Sequence, residues 1–273
     1  MNTTIEQNAE PRQEVRNIEP RGITEKTARQ TFIFREPKTP EELLALLRLR
    51  YEVYRGSRLK GFVPDNSDGL DIDPWDKYAA HYGLFVKESD DEKPIGYIRV
   101  VGQSTWHRVL LLESLAMEFD SIRTTLCVEP EEPLPMMTYA KAPVAISRIR
   151  RDLSTCRRPI VEPGRLSLIS QFRTKRLSVD ILKSVIAIYS SDYVGLEYAV
   201  VICAHDHRRV YEGFGFRDIN DSIEWRCEKA FESFTTLAAA PTNIPSKIRE
   251  RLRWAAFEFD LTGQIVCGVR DAE

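Results

Sequence analysis

The sequence predicts an α/β (α+β) protein built on a mixed sheet, on three observations. From Ile160 to Phe216 the apolar pattern alternates strand, helix, strand, helix, which implies parallel strands with covering helices. Tyr82 to Lys87 and Ile95 to Val101 are strand-like and separated by a polar turn short enough for an antiparallel hairpin. The chain has 273 residues, 42% of them hydrophobic, which suffices for a large core.

Taken in order, residues 1–30 are polar and charged without apolar periodicity, so a disordered tail is expected there. Thr31 to Phe34 reads as a first strand. Thr39-Pro40-Glu41-Glu42 then combines a capping box with proline at the first helical position. Leu43, Leu47, Tyr51 and Tyr54 share one face of that helix, and Gly56 is its predicted stop. Leu110 to Ile122 reads as a helix. The proline-rich stretch from Cys127 to Pro143 reads as an irregular insertion. Ile160 to Ser170 is a strand, and Leu177, Ile181, Val185 and Ile188 form the stripe of a long helix. Tyr198 to Ala204 is a second buried strand, and Asp206 is placed to cap the helix that follows. Ser246 to Phe257 and Gln264 to Val269 add a helix and a strand. One domain over 31–225 is expected, with 226–273 as a C-terminal extension packed on it.

Composition narrows the function. A formal charge of −2 argues against a general polyanion-binding surface. The five cysteines are odd in number and contain no CxxC pair, so neither a disulfide framework nor a zinc knuckle is suggested. With no apolar run long enough to span a bilayer and no leader-like N-terminus, a cytoplasmic protein is expected. Cys203, His205 and His207 alternate but lack an evident fourth ligand, and a calcium loop starting at Asp65 would place Leu70 where glycine is required, so no metal is assigned.

The run RVYEGFGF, Arg209 to Phe216, follows an apolar strand and places Tyr211 on a short helix. It resembles the "LYEKxGF" ending of the GNAT acyltransferase superfamily. RLRYEVY (Arg48 to Tyr54), DIDPWD (Asp71 to Asp76), GYIRVV (Gly96 to Val101) and EPGR (Glu162 to Arg165) resemble, in order, the "RxxVF", "ExDxFD", "GxxRLL" and "ExSR" motifs of the branch containing acyl-homoserine lactone synthases and long-chain N-acyl amino acid synthases. Asp71 stands where glutamate is usual, and Gly164 replaces serine. The resemblance implies a GNAT fold, a mixed central sheet splayed between two parallel strands and flanked by helices. It implies an enzyme, an N-acyltransferase that moves a medium or long fatty acyl group from acyl carrier protein to the amine of an amino acid or related metabolite. A coenzyme A thioester is the alternative donor, an acetyl-CoA-dependent acetyltransferase the alternative enzyme, and an inert binding protein with a basic face the alternative outside enzymology.

Such a reaction needs a base for the amine and an acid for the departing thiolate. Glu162 is the candidate base, its alternative being a structural ion pair with Arg165; Tyr211 is the candidate acid, its alternative being core packing. Backbone N–H groups near Leu166 to Leu168 are candidates for the oxyanion. Arg50, Asp73, Trp75, Asp76, Arg99 and Arg165 are the candidate acceptor-binding residues, although buried pairs among them serve equally as scaffolding. The family's glycine-rich phosphate loop corresponds to Arg173, Thr174, Lys175, Arg176, Leu177 and Ser178, which contains no glycine. Arg173, Lys175, Arg176 and Ser178 are therefore the candidate donor-binding residues, better suited to the single phosphate of a carrier-bound pantetheine than to a pyrophosphate. Residues 141–176 hold ten Lys or Arg against two acids, a basic face suited to an acidic carrier protein.

Overall fold

The computed structural model describes residues 29–88, 91–102, 106–190, 195–219, 224–227, 230 and 232–271, leaving aside the side chains of 29, 106–109, 175 and 269–271. Most of the expected tail, residues 1–28, lies outside the described residues, and Arg29 and Gln30 already belong to strand β1 (Arg29–Arg35). Helix α1 (Pro40–Arg55) follows, capped by Thr39, whose hydroxyl accepts the Glu42 N–H at 3.3 Å. The reverse half of the capping box is redirected: Glu42 accepts the Lys38 N–H and a two-point bond from Arg35. The hairpin is β2 (Ala79–Glu88) and β3 (Asp91–Val101), paired antiparallel.

Two expectations fail between the hairpin and β4 (Ile160–Leu168). The single helix is two, α2 (Trp106–Ala116) and α3 (Asp120–Leu126), and the break lets Leu112 and Ile122 enter one cluster with Leu43 and Leu70. The irregular insertion contains α4 (Pro135–Tyr139) and runs into α5 (Pro143–Thr155). Ala145, Ile149 and Leu153 give α5 its apolar spacing, which the intervening arginines obscure in the sequence.

After β4 come α6 (Lys175–Tyr189), β5 (Tyr198–Ala204) and α7 (Arg208–Gly213). Asp206 does not cap α7; a single turn over His205–His207 intervenes, and the cap position is His207 without a side-chain bond. β6 (Arg217–Asp218), β7 (Trp225–Cys227) and β8 (Glu232–Ala239) follow, then α8 (Ser246–Thr262) and β9 (Gln264–Asp271). The boundary expected at 225/226 falls inside β7, and β8 is bonded directly to β5, so the C-terminal segment supplies strands to the same sheet.

The sheet order is β6-β8-β5-β4-β3-β2-β1-β9, with β7 also on β8. β4 and β5 run parallel, yet pair only at Ile160 with Tyr198 and Val161 with Ala199. Beyond that point they diverge. Pro163 has no N–H with which to extend a ladder, and β4 is held from there on by β3 alone. One face of the sheet carries the main core, with α6 and α7 over Phe34, Tyr82, Val161 and Val201. On the other face α1 packs over Phe85 and Tyr97, and α4 and α5 cover Ile160 and Val200.

Candidate active site

The strand alternation of β4 sends Glu162 and Gly164 to one side of the splay and Pro163 to the other. On the first side is an open pocket of about 620 Å³, whose polar lining comes from Glu162, Arg99 and Arg165 and whose apolar walls include Tyr54, Phe62, Tyr139 and Phe234. On the second side is an apolar cavity of about 360 Å³ between α6, β5 and the end of α7.

Glu162 is 6% exposed, and burial lifts its pKa to about 8, with the Met136 N–H and the charge of Arg99 opposing. Its Oε2 accepts that N–H at 2.8 Å. The ion pair with Arg165 that stood as the alternative role for Glu162 does not form, because the Arg165 guanidinium turns to Asp71 at 3.3 Å and Asp73 at 3.1 Å and lies over the Tyr54 ring. Arg165 reaches there through a β-bulge: Tyr97 opposes Ser167 and Arg99 opposes Gly164, leaving two residues of β4 across from Ile98, and Arg165 takes φ 58°. That bulge takes Arg165 and Leu166 out of the β3 register next to the split; of the segment Leu166 to Leu168, expected to supply oxyanion N–H groups, Ser167 and Leu168 stay paired with Tyr97 and Gly96.

Beneath the pocket Arg50, Arg99 and Arg165 interlock with Asp71, Asp73 and Asp76. Arg50 grips both oxygens of Asp76 at 2.8 and 2.7 Å and its Nε lies 2.8 Å from Asp71 Oδ2. Arg99 bridges Asp73 and Asp76 at 2.5 and 2.8 Å. Burial alone would raise the Asp76 carboxyl, but Arg50 and Arg99 outweigh it and hold it well below the ordinary carboxylate range. Asp73 caps the Pro74–Tyr78 turn in a full capping box with Asp76. His81 completes the network: Nδ1 lies 2.8 Å from the Tyr97 hydroxyl, itself 2.9 Å from Arg50, and Nε2 lies 3.1 Å from the Asp76 carbonyl. Burial lowers its pKa to about 4. Three cations and three anions balance, so the cluster fixes the acidic loop to α1 and β3 and presents only the Arg99 and Arg165 edges to the pocket.

Trp75 does not line the pocket. It is buried against Tyr139, and its Nε1–H donates to the Glu132 carbonyl at 2.8 Å, pinning the segment that carries α4. Tyr211 lies on the opposite face from Glu162, edge-on to Phe216 with ring centroids 5.7 Å apart. Burial raises its pKa above that of an ordinary phenol, with Cys203 and then Tyr54, a pocket residue, adding to the effect. The Tyr211 hydroxyl has no hydrogen-bond partner among the described residues. Glu162 and Tyr211 therefore lie on opposite faces of the sheet, Glu162 in the pocket and Tyr211 against the main core.

Arg173, Arg176 and Ser178 gather at the start of α6, at the open end of that gap. Lys175 opens the helix, its side chain outside the described residues. Thr174 caps the helix by accepting the Leu177 N–H at 3.2 Å, which occupies one of the donors that a phosphate would otherwise use. The basic run does not form one face. Arg148, Arg150, Arg151, Arg157 and Arg158 precede β4, whereas Arg173 and Arg176 follow it, and the nine residues of β4 separate the groups by about 26 Å. The aromatic wall of Tyr54, Phe62, Tyr139 and Phe234 was missed in the sequence; only Tyr54 sat in a motif that singled it out.

Residues 49–132 match the model of the acetyltransferase (GNAT) domain. No curated protein sequence matches the chain. Among solved structures the fold is similar to FeeM, an N-acyl amino acid synthase from uncultured soil microbes, at 13% identity and a TM-score of 0.52, covering 84% of this chain and 98% of that one. Two weaker likenesses are the CoA-dependent acyl-homoserine lactone synthase BjaI (14% identity, TM-score 0.42, 79% and 82% covered) and an acyl-CoA N-acyltransferase from Pseudomonas aeruginosa (14%, 0.42, 77% and 99%), on which nothing further rests. Parallel strands that part after two residue pairs, with a helix following each, agree with the fold likeness to FeeM, and residues 49–132 of that same sheet and its neighbours match the GNAT acetyltransferase domain.

Proposed function

We propose that this protein is an acyltransferase that moves a medium or long acyl group from a thioester of acyl carrier protein to the amine of an amino acid or related small metabolite. The observation that carries the reading is Glu162, a buried carboxyl with pKa about 8, set in a pocket at the lip of the β4–β5 gap. A carboxyl so poised takes a proton from an ammonium near neutral pH far more readily than an exposed one. The pantetheine arm lies in the gap, and its thioester carbonyl faces Glu162 and the β4 bulge. The amine attacks from the pocket side, Glu162 receives its proton directly or through water, and Tyr211 protonates the departing thiolate from the other side. Arg99 and Arg165 orient an acceptor carboxylate. The walls on both sides of the gap are apolar, with Tyr54, Phe62 and Phe234 on one side and Val185, Leu196 and Phe214 on the other, which suits the hydrocarbon of a fatty donor.

The donor end favours a carrier protein. The α6 start has no glycine for close backbone approach and one N–H already taken by Thr174, which leaves Arg173, Lys175 and Arg176 to hold a single phosphate. Purified protein is to be incubated with carrier-protein and coenzyme A thioesters of graded chain length and a mixture of amino acids. Thiol release with an amide detected by mass spectrometry, faster from the carrier thioester, is expected; neither thiol nor amide from any donor overturns the proposal.

A further inference from the structure

Helix α8 has two apolar faces, and only one of them is covered. Leu252 and Ala256, with Ile248 and Ala255, pack toward Ala187 of α6. On the opposite side Trp254, Phe257 and Leu261 are 71%, 59% and 73% exposed, the first two rings edge-on at 6.5 Å. Large side chains grouped like this mark a contact surface. Their spacing, three residues and then four, is that of a coiled-coil seam. Positions flanking this seam are 251 and 258 on one side and 253 and 260 on the other. Each flank holds an arginine one heptad before an acid: Arg251 before Glu258, and Arg253 before Asp260. No intramolecular ion pair engages these four side chains among the described residues.

We infer that α8 pairs antiparallel with α8 of a second copy of this chain about a twofold axis. In that arrangement residues of one flank meet the same flank of the other helix in reverse order. Arg251 then faces Glu258 of the second copy and Arg253 faces its Asp260, so the axis generates four attractive pairs around an apolar centre. A parallel pairing would use only Arg253 with Glu258 and set the basic halves side by side. Two cations and two anions on the flanks also leave no net positive rim, which disfavours an anionic bilayer as the occupant. The inference is independent of the catalytic reading.

Sedimentation equilibrium on the full chain tests it. The mass is expected to rise from 31.5 kDa toward twice that value between about 1 and 200 µM, the range open to so short a seam. Arg251→Glu with Arg253→Glu makes all four flank positions acidic, and Glu258→Arg with Asp260→Arg in a second chain makes them all basic. Each variant alone is expected to show a dimer Kd raised about tenfold or more, and a mixture of the two to pair at least as tightly as the wild type. Thermal midpoints near that of the wild type establish that both variants fold. A wild-type monomer at about 200 µM, variants that dimerise unchanged, folded variants that fail to pair on mixing, or binding of anionic vesicles without self-association would each overturn it.

Discussion

Glu162 Oε2 accepts the Met136 N–H at 2.8 Å, so the candidate base also fastens the segment bearing α4 over its own pocket. Glutamine would keep an oxygen for that bond but could not ionise. The folded carboxyl releases its proton near pH 8 and the unfolded one near 4.5, so the stability it contributes is complete below 4.5 and is lost as pH rises through 8. Glu162→Gln should therefore match wild type near pH 4.5 and gain on it steadily up to about pH 8. Urea midpoints at pH 5 and 8.5 check this, and a constant difference would refute it.

His81 sets the opposite slope. Its folded pKa near 4 against 6.5 when unfolded means that the unfolded chain binds the extra proton between those values, so stability falls as pH drops from 6.5 toward 4. His81→Gln should flatten that part of the profile measured by thermal melts.

Asp76 is the hub between Arg50 and Arg99. Asp76→Asn leaves both guanidinium groups buried with too little negative charge, and a loss of about 3–5 kcal/mol in urea unfolding is expected.

Two glycines should respond differently. A side-chain carbon at Gly164 would meet nothing within 4 Å, so Gly164→Ser should shift stability by no more than about 0.5 kcal/mol while narrowing the pocket. At Gly215, with φ 92°, the same carbon would lie 2.3 Å from the Asn243 carbonyl oxygen, and Gly215→Ala should cost more than about 2 kcal/mol.

Tyr211→Phe separates acid from packing. The ring against Phe216 is kept and no hydrogen bond among the described residues is lost, so the melting point should hold within the equivalent of about 1 kcal/mol. If the phenol protonates the thiolate, kcat should fall about 100-fold with KM little changed.

Much of this layout was legible in the sequence. Thr39-Pro40, the hairpin and the Tyr198 to Ala204 strand announce themselves through local chemistry, and the motifs around Arg50, Asp73 and Arg99 meet in one buried ion-pair network. What was not legible depends on tertiary placement. Arginines hid the stripe of α5, the short strands β6 and β7 carry too few residues for periodicity, and the basic run appeared continuous because a sequence does not show that β4 carries the chain across the molecule. The alternative pairing of Glu162 with Arg165 fails because a bulge at φ 58° turns Arg165 away from the alternation that an unbroken strand imposes.

The most direct test is the pH dependence of amine-dependent thiol release. The rate for the wild type should climb with pH and level off above about 8, as Glu162 ionises, and Glu162→Gln should lower it by about 10²–10⁴-fold and abolish that limb. A wild-type rate independent of pH between 6 and 9, or an undiminished rate in the glutamine variant, would contradict the assignment of the β4–β5 gap as the site of acyl transfer.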